Sequence, residues 1–442
     1  RVSEQVNDPI TATVLALESG DAQAVLVGCD LVTISDDVRD AVRTQLADQA
    51  PDLDPRNVCL NATHTHTGPE VRPTRAGGAN VPATMGIELD VMHPADYIRW
   101  AAGRIAGAIA EARERLAPGG ISFGFGQAVV GHCRRVVYRD GHARMYGQTD
   151  NPEFSHMEGC EDHALQLICT WDADENLTGM IVNVPCPSQV SESQYFLSAD
   201  YWHETRQLLR DRFHEDLFVL ATCGAAGDQS PRPLVRKSAE ERMLSLKGHT
   251  HRQEIAARIV DAVEEIFPAI RKEVLTQPLV RHTVETIDIP RTAITQAEVD
   301  EALDEAAKHR EKYEQLLQEL KEKPELREQP RWYAPVTREF RRAAWFEGVA
   351  ERFKLQQEKP TLPYEIHVLR LGDLAVATNP FEYFLDYGWR IQARSPAVQT
   401  MTVQLAGSGT YVPTPRAVRG RHYSAVPASM PVGPEGGAGL AN

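Results

Sequence analysis

The sequence predicts an α/β protein: a mixed β-sheet core flanked by helices, with a helical hairpin inserted into it. Two observations carry this. Short runs rich in Val, Ile, Leu and Thr alternate with amphipathic segments at helical spacing along most of the 442 residues. Between residues 288 and 363 the alternation gives way to two charge-rich helical stretches. No internal repeat or low-complexity linker appears, so 1–442 reads as a single domain with 288–363 as an insertion in it.

Taken in order, "TATVLALESG" and "AQAVLVGCDLV" predict a β-hairpin around a Gly-Asp turn. "SDDVRDAVRTQLADQA" predicts a helix with a Ser N-cap. "RNVCLNATHTHTGP" is a third strand running into a loop, and "ADYIRWAAGRIAGAIAEARERL" is a long helix stopped by "APGG". "ISFGFGQAVV" returns to strand, and a loop-rich stretch then holds His132, Arg134, Arg135, His142 and His156. "HALQLICTWD" and "LTGMIVNVPCPSQV" predict a second hairpin, and "SADYWHETRQLLRDRF" a helix with a Ser cap. "LFVLATCGAAGDQSPRP" is an apolar strand ending in a Gly-rich turn, and "HRQEIAARIVDAVEEIF" a further helix. Beyond the insertion come strands in "EIHVLRLGDLAVATNPFEYF", a helix, and the strand "VQTMTVQLAG". The tail "GPEGGAGLAN" is expected to be mobile.

Composition narrows the function classes. A net charge of −15 argues against nucleic acid as partner, because the phosphate backbone rewards Lys and Arg. No apolar run approaches the ~20 residues needed to span a bilayer, and no Lys-rich amphipathic segment suggests stable membrane docking. The expected partner is a small-molecule substrate. Seven cysteines are scattered singly without a CxxC pair, which suits core thiols in a reducing compartment better than a disulfide framework. A cytoplasmic location is expected, with secretion or export left open because the chain starts at Arg1 without Met.

The most informative stretch is "NATHTHTGPE". In a strand, residues i and i+2 point to one face, so His64 and His66 can aim at one point. Two imidazoles at a strand end suit Zn²⁺, as two ligands or as one ligand and one acid/base group. Two solvated strand histidines are the ordinary alternative. The position, just beyond a buried strand, is where α/β sheets place ligands.

"LNATHTHTGPE" resembles the histidine motif of the neutral/alkaline, non-lysosomal ceramidases and their bacterial relatives, and other segments follow in that family's order. "TCGAAGDQSP" resembles its Gly-Asp-x-Ser-Pro turn, "LGDLAVATNPFEYFLDYGWRI" its late glutamate segment, and "LAGSGTYVPTP" its metal-binding tyrosine segment. The resemblance implies a catalytic zinc held by His64, Glu382 and Tyr411, with His66 as acid/base group and an activated water attacking a carbonyl. Alone, Glu382 would read as a carboxylate at a helix N-terminus and Tyr411 as a turn aromatic before Pro413. The family's second histidine ligand is missing: relatives carry a pattern like Asn-x-x-Cys-His-Pro where this chain has "NVPCPSQV". Cys186 or His203 is the expected replacement, with His163 a weaker one.

The resemblance also points to Ser230 and Asp228 in the Gly-rich turn, with Ser230 touching substrate or, less economically, acting as nucleophile. Arg134 and Arg135 lie where relatives bind substrate and could hold an oxygen in bidentate fashion. The expected function is a metal-dependent hydrolase cleaving an amide in a soluble, polar substrate. Ceramide is not expected, because the chain ends before the position of the family's immunoglobulin-like domain. Two alternatives stand beside it. One is a glycoside-acting enzyme pairing Glu382 with Asp200, Asp228 or Glu204. The other is a non-catalytic binding protein with a degenerate site. Oligomeric state is not readable from the sequence.

Overall fold

The computed structural model describes residues 2–72 and 85–442. β1 (Ala12–Ser19) and β2 (Ala22–Cys29) form the first hairpin, with Gly20 at φ +58° in its turn. α1 (Asp36–Gln49) is capped by the Ser35 hydroxyl, and β3 (Val58–Ala62) then joins β2 in parallel. After α2 (Pro94–Glu114) and β4 (Gly119–Gln127), the loop-rich stretch carries β5 (His132–Cys133) and β6 (Arg135–Tyr138). The second hairpin, β7 (Ala164–Asp172) and β8 (Leu177–Val184), also forms as predicted. It is followed by α3 (Tyr201–Arg212), β9 (Phe218–Cys223), β10 (Gln229–Ser230), α4 (Lys237–Lys247) and α5 (His251–Ile270).

β11 (Val280–Pro290) leads into the hairpin of α6 (Gln296–Glu322) and α7 (Tyr333–Glu358), and β12 (Thr361–Leu371) leads back. β11 and β12 pair along their whole length, so the insertion grows from the end of one antiparallel pair. β13 (Leu374–Thr378), β14 (Glu382–Tyr383), α8 (Leu385–Arg394), β15 (Gln399–Val403), β16 (Tyr411–Val412), α9 (Pro415–Gly420) and α10 (Pro434–Leu440) complete the chain.

The main sheets run β1-β2-β3, β9-β8-β7-β4 and β11-β12-β13-β15. Period-two alternation sorts their side chains into layers. Val25, Val27 and Cys29 of β2 face Val42 of α1 and Ile105 and Ile109 of α2. Ala24 and Leu26, on the other face, meet Ile168, Ile181 and Leu220 of the second sheet and Leu369, Val376 and Met401 of the third. The far face of the second sheet buries Leu165, Leu167, Val182 and Val219 against Leu209 of α3 and Ile255 and Ile259 of α5. The sheets approach so closely at Gly28 that a Cβ there would lie 2.7 Å from the Ala221 carbonyl oxygen.

Two local expectations fail. α3 is capped by Asp200 instead of Ser198: the Asp200 carboxylate accepts the Tyr201 and Ser191 N–H groups, while the Ser198 hydroxyl donates to Asp8. The tail is ordered, because its glycines let α10 lie against aromatic rings. Tyr383 donates to the Gly437 carbonyl, and a Cβ at Gly437 would meet the Tyr387 ring at 2.8 Å.

Within the main sheets three strand pairs run parallel: β2 with β3, β8 with β9, and β13 with β15. The loops leaving the carboxyl ends of β3, β8, β9, β13 and β15 carry His64, Gln189, Ser230, Glu382 and Tyr411, respectively. Crevices outside such strand ends are where open α/β sheets place ligands.

Candidate functional site

The threonines of "THTHT" explain its histidines. Thr63 donates to Asp30 (3.2 Å), which a bidentate Arg206 clamps at 2.7 and 3.0 Å. Thr65 and Thr67 both donate to the Ser198 carbonyl (2.7 and 3.1 Å). Alternate residues thus anchor the backbone, and the residues between them are free to face elsewhere. β3 has already ended at Ala62, so the two histidines do not meet by strand alternation. His64 instead takes φ +64°, a left-handed conformation costly for a side-chain-bearing residue and often found at functional sites. The rings end edge to face, 4.8 Å apart.

His64 Nδ1 lies 2.5 Å from the Val32 carbonyl, which fixes that nitrogen as the N–H donor. Its Nε2 then faces the Glu382 carboxylate at 3.3 Å. Glu382 and Tyr411 are register partners in the short parallel pair β14–β16, which puts phenol and carboxylate side by side. Burial alone would raise the Glu382 carboxyl, but His64, Arg134 and the Tyr411 hydroxyl hold it down at about 2. Burial, and after it the Glu382 charge, push the Tyr411 phenol well above its ordinary value.

Arg134 crosses the middle of the cluster. Nη2 donates to the Gly227 carbonyl (2.8 Å) and Tyr411 Oη (3.3 Å) and lies 3.9 Å from Glu382. Nη1 donates to Gln189 Oε1 (3.2 Å) and Tyr146 Oη (3.4 Å), and the guanidinium lies between the Tyr146 and Tyr411 rings. Gly227 is required here, since a Cβ would come within 2.3 Å of the Glu382 carbonyl oxygen. Gln189 Nε2 donates to Tyr146 (2.8 Å) and to Glu192 (3.0 Å), and Glu192 lies 3.6 Å from His66 Nδ1. Ser230 Oγ is fully buried and accepts from Tyr146 Oη (3.4 Å) and the Arg232 N–H (3.2 Å).

His64, His66, Arg134, Ser230, Glu382 and Tyr411 therefore share one network, and the other sequence candidates lie apart from it. Arg135, next to Arg134 but on the opposite side of the chain, is fully buried against Glu158 and the carbonyls of Ala417, Arg421 and Tyr423. Asp228 accepts the Leu385 N–H at the start of α8, and burial raises its carboxyl. Cys186 packs in the apolar core with its thiol directed at the Val130 and Pro187 carbonyls, and burial drives that thiol well above its ordinary value. His203 sits in the first turn of α3 beyond the Asp200 cap. His163 lies 3.6 Å from Glu161, in a group with His132. The carboxylates offered as partners for Glu382 are engaged as well: Asp200 and Asp228 by backbone N–H groups, Glu204 by Arg252.

Sequence reasoning missed Tyr146, Gln189 and Glu192. Gln189 and Glu192 carried a usable signal, as polar residues just beyond the carboxyl end of β8. Tyr146 carried only its place in the His- and Arg-rich loop, although its φ of +55° marks a constrained position.

The spacing of His64 and Glu382 is compatible with a zinc ion. Neighbouring donors in a tetrahedral zinc site with bonds near 2.0–2.2 Å lie roughly 3.4 Å apart. The 3.3 Å between His64 Nε2 and Glu382 matches that edge. Among the described residues no group of three or more His, Cys, Asp and Glu side chains gathers to hold a metal, and the Tyr411 phenol is the further oxygen beside the His64–Glu382 pair. Among the same residues no helix is long and apolar enough to cross a membrane.

No protein-family profile matches the chain, and no curated protein matches it. Solved structures do. A ceramidase complexed with C2 superposes with a TM-score of 0.63 at 17% identity, over 97% of this chain and 68% of that one. The neutral ceramidase from Pseudomonas aeruginosa gives 0.62 at 18% identity, over 96% and 65%. The chain spans about two thirds of the length of these proteins, and over that span it has the neutral ceramidase-like fold.

Proposed function

We propose that this chain is a zinc-dependent hydrolase that cleaves an amide C–N bond in a small, polar substrate. One observation carries the proposal: His64 Nδ1 is committed to the Val32 carbonyl, which leaves Nε2 aimed at the Glu382 carboxylate 3.3 Å away, with the Tyr411 phenol beside it. A ring nitrogen and a carboxylate at the spacing of neighbouring zinc ligands, in a buried site, suit a cation between them. His64, Glu382 and Tyr411 would hold zinc there. The ion would supply Lewis-acid polarisation of a carbonyl and acidify a water at its open position.

The remaining groups have assignable work. Arg134, desolvated between two rings, sets a fixed positive charge beside Glu382 and Tyr411 that favours negative charge developing on a carbonyl oxygen there. Glu192 beside Nδ1 orients His66, so that Nε2 can carry the proton to the leaving nitrogen. Ser230 already accepts two hydrogen bonds, which directs its own proton toward substrate instead of toward a base. Asp228 and Arg135 act at one remove. Asp228 seats the start of α8 behind Glu382, and Arg135 pins the segment that bears Tyr423.

The test is hydrolysis of a panel of short N-acyl amides, before and after chelation and after zinc is returned. We expect activity to fall by about a hundredfold or more on chelation and to return with one zinc per chain. Full activity in the zinc-free protein, or cleavage of aryl glycosides unaffected by chelator, would overturn the proposal.

A further inference from the structure

Two strained turns at the edge of the site each present a tyrosine, and two consecutive arginines hold them. Tyr146 takes φ +55°. Its N–H donates to the Arg134 carbonyl at 2.7 Å, and the Arg134 guanidinium lies over its ring. Beyond α9, Arg421, His422 and Ser424 take φ +60°, +70° and +75°. With ψ at −154°, Arg421 occupies a region that belongs almost to glycine alone. Arg135 holds this second turn in shape. Fully buried and paired with Glu158, it donates to the Arg421 and Tyr423 carbonyls at 2.7 and 2.9 Å and to Ser424 Oγ at 3.3 Å. The Met145 N–H donates to His422 Nδ1 at 3.2 Å, which ties one turn to the other. Backbone strain persists only where its surroundings impose it, and it gathers at functional sites.

What these turns present is ring surface. Tyr146, Arg134, Tyr411, Tyr423 and Trp345 of α7 form a row of planar groups, at successive spacings of 5.9, 5.7, 5.4 and 5.7 Å. The inner members, Arg134 and Tyr411, are buried, whereas Tyr146 and Tyr423 on either side of them keep 38% and 44% exposure. The Tyr146 ring is fixed by its hydroxyl, which accepts from Gln189 and Arg134 and donates to Ser230. The Tyr423 ring is fixed by Tyr411 on one side and Trp345 on the other.

The charges around the row are matched. Arg72 and Arg341 share Glu70, Arg134 faces Glu382, and Glu192 lies 3.7 Å from Arg232. Recognition at this edge therefore falls to the rings. Two half-exposed rings can cover the face or edge of a flat aromatic group, in the offset or edge-to-face contacts that such pairs prefer. A flexible alkyl chain in the same place would stay largely in water and would lose rotamer freedom on binding.

We infer that Tyr146 and Tyr423 are specificity residues of this site, selecting a substrate that carries a flat aromatic group next to the scissile amide. The place of that amide rests on the hydrolase reading, but ring recognition can be tested by binding alone. Calorimetric titration of the zinc-free protein would compare N-benzoylethanolamine with N-cyclohexanecarbonylethanolamine, which differ in ring flatness on the acyl side. N-benzylacetamide and N-(cyclohexylmethyl)acetamide make the same comparison on the amine side. In at least one pair the aromatic member should bind roughly fivefold more tightly. Tyr423→Leu and Tyr146→Leu should each remove most of that preference, and Tyr423→Phe, which keeps the ring, should retain it. Melting temperatures check that the variants fold, and the wild-type comparison stands without them. Equal binding within both pairs, or no binding of any of the four compounds, overturns the inference. So does a preference unchanged in either folded Leu variant, or one lost as fully in Tyr423→Phe as in Tyr423→Leu. A Tyr423-dependent preference with no turnover of the amides by the zinc-loaded protein would sustain the inference and sink the hydrolase reading. Turnover of aromatic and cyclohexyl members alike, with equal KM and equal affinity, would do the reverse.

Discussion

Two buried clusters in this molecule use the same residue types in different backbone settings. His64, Glu382 and Arg134 meet on loops beyond strand ends. His282, His367, Glu365 and Arg43 meet on the regular strands β11 and β12, under α1. In the second cluster the hydrogen bonds form a closed chain. Arg43 binds Glu365 at 3.0 and 2.8 Å, and His367 bridges Glu365 and His282 at 3.1 Å on each side. His282 ends on the Gln23 carbonyl at 3.3 Å. Every donor there has its acceptor. In the first cluster Nε2 and a carboxylate face each other, with a phenol and a guanidinium alongside. A regular sheet lets neighbouring strands satisfy a polar side chain, whereas loops at strand ends converge on space that a ligand can share.

Breaking each cluster separates chemistry from stability. His64→Ala should lower kcat/KM on any amide substrate by about a thousandfold and release the zinc, at a stability cost of about 1 kcal/mol. Elemental analysis and denaturant titration of the same sample would show both. Retained zinc with retained activity would remove His64 from the centre. His367→Ala should do the opposite, costing about 2 kcal/mol by leaving His282 Nε2 unsatisfied while Arg43 still holds Glu365, with zinc content at the wild-type level.

The closed cluster also predicts how stability depends on pH. Burial, and then the charge of His367, push His282 down to about 4. The unfolded chain, with a histidine near 6.5, takes up that proton first, so stability is full above about pH 6.5 and falls as pH drops toward 4. Allowing for partial exposure, the loss is roughly 2 kcal/mol. Glu365 is held far below its ordinary value, by His367 and Arg43 against its burial, so its contribution is lost only at lower pH, below about 4.5. Urea midpoints of His282→Gln should fall less steeply than those of the wild type between pH 6.5 and 4.5, the remaining slope coming from His251 and His422, which burial also holds down. An unchanged slope in the upper window would assign the titration elsewhere.

The two clusters differ as much in legibility as in function. "THTHTGP" pointed to the first by its place just beyond a buried strand, although two solvated strand histidines were the ordinary reading of the pair by itself. Glu382 and Tyr411 were found only through resemblance, since their convergence depends on β14 pairing with β16 across the whole late chain. The strand-helix order was readable from periodicity, and both hairpins formed where their turns were expected. The layering of the sheets was hidden, because the residues that decide it, such as Gly28 against Ala221, are far apart in sequence. His282 and His367 sit in unremarkable strand patterns, and no local signal marks either.

The smallest expected effects bear on the donor that replaces the missing histidine. Cys186 lies in the apolar core with its thiol on two backbone carbonyls, and His203 rides in the first turn of α3. Neither belongs to the network around His64. Cys186→Ala should therefore cost about 1 kcal/mol of stability through lost packing and leave zinc affinity unchanged. His203→Ala should lie within ~0.5 kcal/mol of wild type and also keep the metal. Three protein donors with an open fourth position are what catalytic zinc sites keep, so the missing histidine need not be replaced for the chemistry to work. A competition titration against a chromogenic chelator measures zinc affinity directly. A tenfold loss in either variant would show that the metal draws that side chain in when it binds, and would replace the three-donor centre with a four-donor one.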